Sequence, residues 1–135
     1  MTSRDCVKAA LEHRECGRVP VDFGGHRSSG IMVQAYKELR EYLGLPESPL
    51  YVYDFIQQLA LIEDDVLDAL GADVVEVGNR AQHDPAQWKE SRLPDGTPCL
   101  IPAHIPVTAL PGGGSAVYTE DGAMLCVQKP GCLFY

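Results

Sequence analysis

The chain has 135 residues, 45% of them hydrophobic and 22% charged, which is enough apolar material for one folded domain with a core. Its formal net charge of −8 and pI near 4.8 exclude nucleic acid or anionic lipid as a partner held by bulk electrostatics, though not a local basic pocket for an acidic small molecule. Apolar runs stop well short of the roughly 18 residues of a membrane span, and the polar stretch Thr2–Glu15 lacks the apolar centre of a signal peptide, so the expected compartment is the cytoplasm, with no membrane partner.

In chain order, Thr2 or Ser3 is placed to cap a first helix, with Asp5 favourable in its first turn and Val7, Ala10 and Leu11 at helical spacing, and Gly17 stops it. Arg18–Phe23 reads as a short strand with Pro20 near its start or at an edge, ended by Gly24-Gly25. Ser28 or Ser29 then caps a second helix whose face carries Met32, Ala35, Tyr36, Leu39 and Leu43, with Gly44 and Pro46 as its stop. Leu50–Tyr53 is β-prone and ends at Asp54. A third helix follows, from Phe55 or from Glu63 to Leu70, with Val66, Leu67 and Leu70 inward and Gly71 at its end. Ala72–Val77 reads as a buried strand.

Beyond Gly78 the pattern changes. Asn79–Ala86 is polar and loop-like. Trp88–Leu93 and Thr97–Ile101 flank a turn at Pro94-Asp95-Gly96, and Ala116–Thr119 and Ala123–Gln128 flank one at Glu120-Asp121-Gly122. Pro111–Gly114 lies between β runs and reads as a turn rather than a phosphate loop. Five cysteines, an odd number with no CxxC, point to free thiols rather than a disulfide framework. Cys99, His104, Cys126 and Cys132 match no zinc spacing, so no metal site is expected.

Four strings, ALEHRECGRVPVDFGGHRSSGI, AYKELREYLGLPE, VYDFIQQLALIEDDVLDALGADVVEVG and WKESRLPDGTPCLIPA, occur in that order over nearly the whole chain. Together they resemble the N-terminal part of the uroporphyrinogen decarboxylase superfamily, nearest the corrinoid-dependent methyltransferase branch. The resemblance implies an α/β fold: the first elements of an incomplete TIM (β/α)8 barrel over 1–78, and an antiparallel β-hairpin insertion of the same domain over 79–135. An open parallel sheet leaves an apolar face uncovered, so the rest of the barrel or a second copy of the chain is the expected partner. The activity implied for the completed enzyme is methyl transfer from a methylated small molecule through a corrinoid protein, with zinc and corrinoid outside this chain. Decarboxylation of porphyrinogen acetates is the alternative within the family. Outside enzymes, the alternative is a non-catalytic module that binds a tetrapyrrole or a corrinoid protein, or that dimerises.

Site residues follow from the same resemblance. Val52-Tyr53-Asp54-Phe55-Ile56 is similar to the family's Phe-Ser-Asp-Ile-Leu motif, whose carboxylate accepts pyrrole N–H donors, and this makes Asp54 the catalytic candidate. Asp54 as a helix cap is the competing reading. Loops after strands line the mouth of a barrel, which singles out Gly24, Gly25, His26 and Arg27 for substrate binding, Arg27 as partner of an anionic group; Asp22, alternating with Val21 and Phe23 on the strand itself, points either into that mouth or into solvent. A solvated loop charge for Arg27 and a loop hydrogen bonder for His26 compete with it. Gln57 and Gln58 are weaker polar contacts. The family's Met-Arg-Gln-Ala-Gly-Arg-Tyr motif is replaced by Gly-Gly-His-Arg-Ser-Ser-Gly, which disfavours uroporphyrinogen as substrate.

Overall fold

The computed structural model describes residues 1–77 and 84–135; the loop expected over Asn79–Ala86 lies largely outside them. Among the described residues are three helices, α1 (Ser3–Leu11), α2 (Val33–Tyr42) and α3 (Asp64–Leu70). Seven short strands accompany them: β1 (Val52–Asp54), β2 (Leu59–Ala60), β3 (Trp88–Arg92), β4 (Pro98–Pro102), β5 (Val107–Ala109), β6 (Ser115–Tyr118) and β7 (Met124–Gln128). They pair antiparallel throughout, as hairpins β1–β2 and β3–β4 and a meander β5–β6–β7.

This overturns the expectation of a barrel segment. The start of a (β/α)8 barrel requires neighbouring parallel strands joined by crossover helices. The two runs expected as its first strands, 18–23 and 72–77, form no ladder, and their strand pairing amounts to one isolated parallel bridge between Asp22 and Val74. The local chemistry explains why no ladder grows. Pro20 has no N–H to give. The Val21 N–H donates to the Asp73 carboxylate at 2.8 Å instead of to a strand carbonyl, while the Asp73 N–H donates to the Val21 carbonyl at 2.7 Å. The third expected strand folds back on itself: Val52 pairs with Ala60 and Asp54 with Leu59 across a bulge.

Asp73 is the pin of this corner. Its carboxylate accepts from both terminal nitrogens of Arg18 and from the Val21 N–H, and these donors hold it far below the usual carboxylate range. A depressed folded-state value makes the contribution fully present above the unfolded carboxylate value of about 4 and progressively lost as pH falls below it. Asp73→Asn is therefore expected to lower the urea midpoint at neutral pH and to flatten its fall between about pH 4 and pH 2. Urea melts of both proteins across that range check this, and parallel pH profiles would refute it.

Helix α1 starts on a reciprocal cap. The Asp5 N–H donates to Thr2 Oγ1 at 3.2 Å, and the Thr2 N–H donates to Asp5 Oδ2 at 3.1 Å. The helix buries only Cys6 and Ala9. Cys6 and Cys16 are bonded as a disulfide, with Cα atoms 5.3 Å apart, where free thiols were expected; Cys99, Cys126 and Cys132 are free. Parity could not reveal one short-range pair among five cysteines.

Helix α2 begins later than the serines suggested. Arg27–Ser29 forms a 3-10 turn, and Gly30–Met32 runs extended against the β1–β2 hairpin through a Met32–Leu59 bridge. The hairpin supplies the cap that no side chain gives, since the Val33 N–H donates to the Gln58 carbonyl at 2.9 Å. The buried face of α2 is Val33, Tyr36 and Arg40. Arg40 Nη1 donates to Glu63 at 2.8 Å and to Asp65 at 2.9 Å, and Nη2 donates to Asp65 and to the Pro46 carbonyl, each at 2.8 Å. The Tyr36 hydroxyl accepts from the Glu63 N–H at 3.0 Å, at the start of α3. Gly71 closes α3 in the left-handed conformation.

A single cluster joins these parts. Val33, Tyr36, Val52, Phe55 and Val66 pack with Leu93, Cys99, Ile101 and Val117 from the strands that follow. Contact between the hairpins runs through the Leu100 N–H, which donates to the Leu50 carbonyl at 2.8 Å. No helix among the described residues is long and apolar enough to cross a membrane.

Candidate functional site

The 3-10 turn and the β1–β2 hairpin bring Arg27 to Asp54. Arg27 Nη1 lies 3.3 Å from Asp54 Oδ2; the Asp54 side chain is 5% exposed and that of Arg27 59%. The other carboxylate oxygen of Asp54 accepts the Gln57 N–H at 2.9 Å. That bond turns the chain at 54–57 instead of starting the helix expected from Phe55. Gln58 continues the reversal at φ 55°, and its side-chain amide donates to the Phe55 carbonyl at 2.6 Å. Asp54 thus spends one oxygen on the backbone and one on Arg27.

The other residues singled out build the turn that carries Arg27. Asp22 Oδ1 accepts the Gly25 N–H and the Ser29 hydroxyl, both at 2.9 Å. His26 Nδ1 accepts the Ser28 N–H at 3.2 Å and caps the 3-10 turn. Gly24 has φ 79°, and a side chain there would run into Ile62. At Gly25, an added Cβ would sit 2.5 Å from Val74 Cγ1. Asp22, Gly24, Gly25 and His26 are accordingly committed to the loop's shape, and Arg27 alone of this set reaches outward.

Arg27 and Asp54 open onto a cleft of about 500 Å³ between the β1–β2 hairpin and the β5–β6–β7 meander, with Tyr53, Phe55, His104 and Tyr118 in its walls. The Tyr53 hydroxyl is enclosed and has no hydrogen-bond partner among the described residues. Burial, reinforced by Glu76 and Asp54, pushes that phenol up to about 12, so it stays a neutral O–H donor at any physiological pH. The cleft therefore offers a guanidinium over an apolar and aromatic floor, a combination suited to an anionic group on a largely apolar ligand.

Sequence reading missed Tyr53, seen only as the residue replacing a serine, and it considered His104 only as a metal ligand. The signal for Tyr53 was its place next to Asp54 on a strand that buries Val52 and Asp54. Nothing local announced that the segment around His104 would return to this cleft. Among the described residues no three His, Cys, Asp or Glu side chains converge to hold a metal ion. Burial holds the Cys99 thiol up at about 11 and raises that of Cys126 too, and both stay protonated.

Compared with family models, curated proteins and solved structures, the chain matches none.

Proposed function

We propose that this chain is the substrate-binding N-terminal portion of an enzyme of the uroporphyrinogen decarboxylase superfamily, and that corrinoid-linked methyl transfer is the reaction of the complete, cytoplasmic enzyme. One observation carries the proposal: Arg27 is held over the enclosed Asp54 at the mouth of an aromatic cleft. The four ordered sequence strings support the family, whereas the fold, short helices among antiparallel hairpins, is not that family's barrel. In this reading Arg27 grips an anionic substituent of the substrate, Tyr53 and Phe55 supply apolar wall, and Asp54 positions Arg27. The described residues do not bring together a ligand set for the zinc of the methyltransferase branch, and no step is derived through that ion. The corrinoid would arrive on its carrier protein. Val19 and Val77, each 82% exposed, are the surface that further polypeptide would cover. Porphyrinogen decarboxylation is less well supported, because a single cleft arginine replaces the motif that grips several carboxylates.

A second reading is favoured by the pairing of Asp54. Its charge is already met by Arg27 at 3.3 Å and one oxygen accepts the Gln57 N–H, an arrangement that holds Arg27 in place and asks for no reacting cation, as in a binding module without catalysis. Two measurements on the intact chain separate the possibilities. Absorbance titrations with uroporphyrin and with hydroxocobalamin report binding, and Arg27→Gln is expected to weaken uptake of the carboxylated ligand about tenfold. Loss of the methylcobalamin spectrum on adding the chain with a thiol reports transfer. Binding that weakens in Arg27→Gln supports the cleft as the ligand site, transfer by the chain alone eliminates the module, and no spectral change with either ligand at high protein concentration eliminates both.

A further inference from the structure

We infer that Cys6 and Cys16 form a thiol–disulfide exchange site whose co-substrate is a dithiol or its disulfide, and that the bond clamps α1 to the rest of the molecule only when oxidised. The inference stands apart from the Arg27 cleft and rests on how α1 is attached. That helix has nine residues and buries only Cys6 and Ala9; Leu11, at its end, is 76% exposed. A helix of this length does not persist in water unless something holds it. Among the described residues, the half-buried Val7, the buried Cys6 and Ala9, and a hydrogen bond from Ser3 to Asp73 seat the helix, and the bond from Cys6 to Cys16 is its covalent attachment. Cutting that bond releases the helix.

The surroundings suit both oxidation states. The Arg18 carbonyl oxygen lies 3.5 Å from Cys6 Sγ and 2.9 Å from Cys16 Sγ, an acceptor ready for either S–H after reduction. Accessibility sets the order of events. Cys6 is 2% exposed, whereas Cys16 is only partly covered, so the incoming thiolate reaches Cys16. It bonds to Cys16 Sγ, the Cys6–Cys16 bond breaks with its electron pair on Cys6 Sγ, and that sulfur takes a proton. The second thiol of the dithiol then loses its proton and attacks the mixed disulfide, and Cys16 leaves as a thiolate that is protonated in turn. Two electrons and two protons pass to the protein, and the dithiol becomes a disulfide. The reverse sequence re-forms the clamp.

The test uses the full chain carrying Cys132→Ser, which removes the exposed free thiol, equilibrated in graded ratios of reduced and oxidised dithiothreitol. Alkylation with mass spectrometry reads the state of Cys6 and Cys16, and amide hydrogen exchange reads residues 3–11. The two cysteines are expected to change state together within the graded series, with protection of α1 falling roughly tenfold or more on reduction. Cys6→Ser in the same background should hold α1 at the reduced level in every buffer. Three results would each overturn the inference: a bond that persists at the most reducing ratio, thiols that never pair at the most oxidising one, or α1 protection that is equal in both states.

Discussion

Replacing Arg40 with alanine is expected to lower the free energy of unfolding by about 3 kcal/mol, and replacing it with methionine by about 1–2 kcal/mol. The guanidinium is buried between α2 and α3, with charged partners on one side and the Pro46 carbonyl on the other. Removing one member of a fully buried ion pair costs about 3–5 kcal/mol, because the remaining charge is stranded. Here Glu63 and Asp65 keep about a third of their side-chain surface in water, 32% and 40% respectively, and can rehydrate, which puts the methionine variant below that range. Alanine adds the volume of the lost stem to the cost. The same contact gives a pH signature. Arg40 holds Asp65 below its ordinary range, so the stabilisation is complete above the unfolded carboxylate value and disappears as pH falls through the lower folded one. Urea melts should find Arg40→Met less sensitive to acid than the parent. A methionine variant as stable as the parent at neutral pH would show that the ion pair adds nothing beyond its packing.

Arg40 also marks where the sequence stopped being informative. On α2 the spacing of Tyr36 and Leu39 identified a helix, but an arginine at helical position i+4 from Tyr36 reads as a solvent-facing charge. Its burial depends on carboxylates 23 and 25 residues further on. Local chemistry was legible where it was decisive over a few residues: the Thr2–Asp5 cap, the left-handed Gly71 after α3, and the Asp-Gly turns between β3 and β4 and between β6 and β7. It failed where partners were distant. The runs 18–23 and 72–77 have strand composition, yet their pairing is pre-empted by the Asp73 carboxylate, and Phe55–Ala60 has helix-compatible residues that Asp54 turns into a hairpin. The resemblance to a barrel family inherited that failure, since it translated β-branched runs into parallel strands. For the site, the resemblance singled out Asp54 and Arg27 separately, as residues at the mouth of a barrel. It did not show that Asp22, Gly24, Gly25 and His26 spend their polar groups and small size on one turn, leaving Arg27 to face the cleft.

Phe55→Ala is expected to cost about 4 kcal/mol and to lower the melting temperature by roughly 10 °C or more. Phe55 is a buried member of the core and touches the C-terminal residue. Its ring stacks at 4.2 Å on Tyr135, whose N–H donates to the Ile56 carbonyl at 3.2 Å and whose hydroxyl meets Ser115 Oγ at 2.5 Å. Truncation therefore opens a cavity under the β1–β2 hairpin and removes the platform that seats Tyr135 on the meander, adding an aromatic contact of about 1 kcal/mol to the loss of burial. The contributions separate in a double-mutant cycle. Tyr135→Leu in the Phe55→Ala background should cost clearly less than in the parent, since its ring partner is already gone. Additive costs would place the cavity alone in charge. The milder Phe55→Leu keeps most of the volume at under about 1.5 kcal/mol. Because Phe55 is also a wall of the Arg27 cleft, that folded variant isolates the aromatic surface from the guanidinium: affinity for a carboxylated porphyrin should fall with Phe55→Leu while the salt dependence contributed by Arg27 persists, and loss of the salt dependence in Phe55→Leu would mean that the ring, rather than Asp54, holds Arg27 in place.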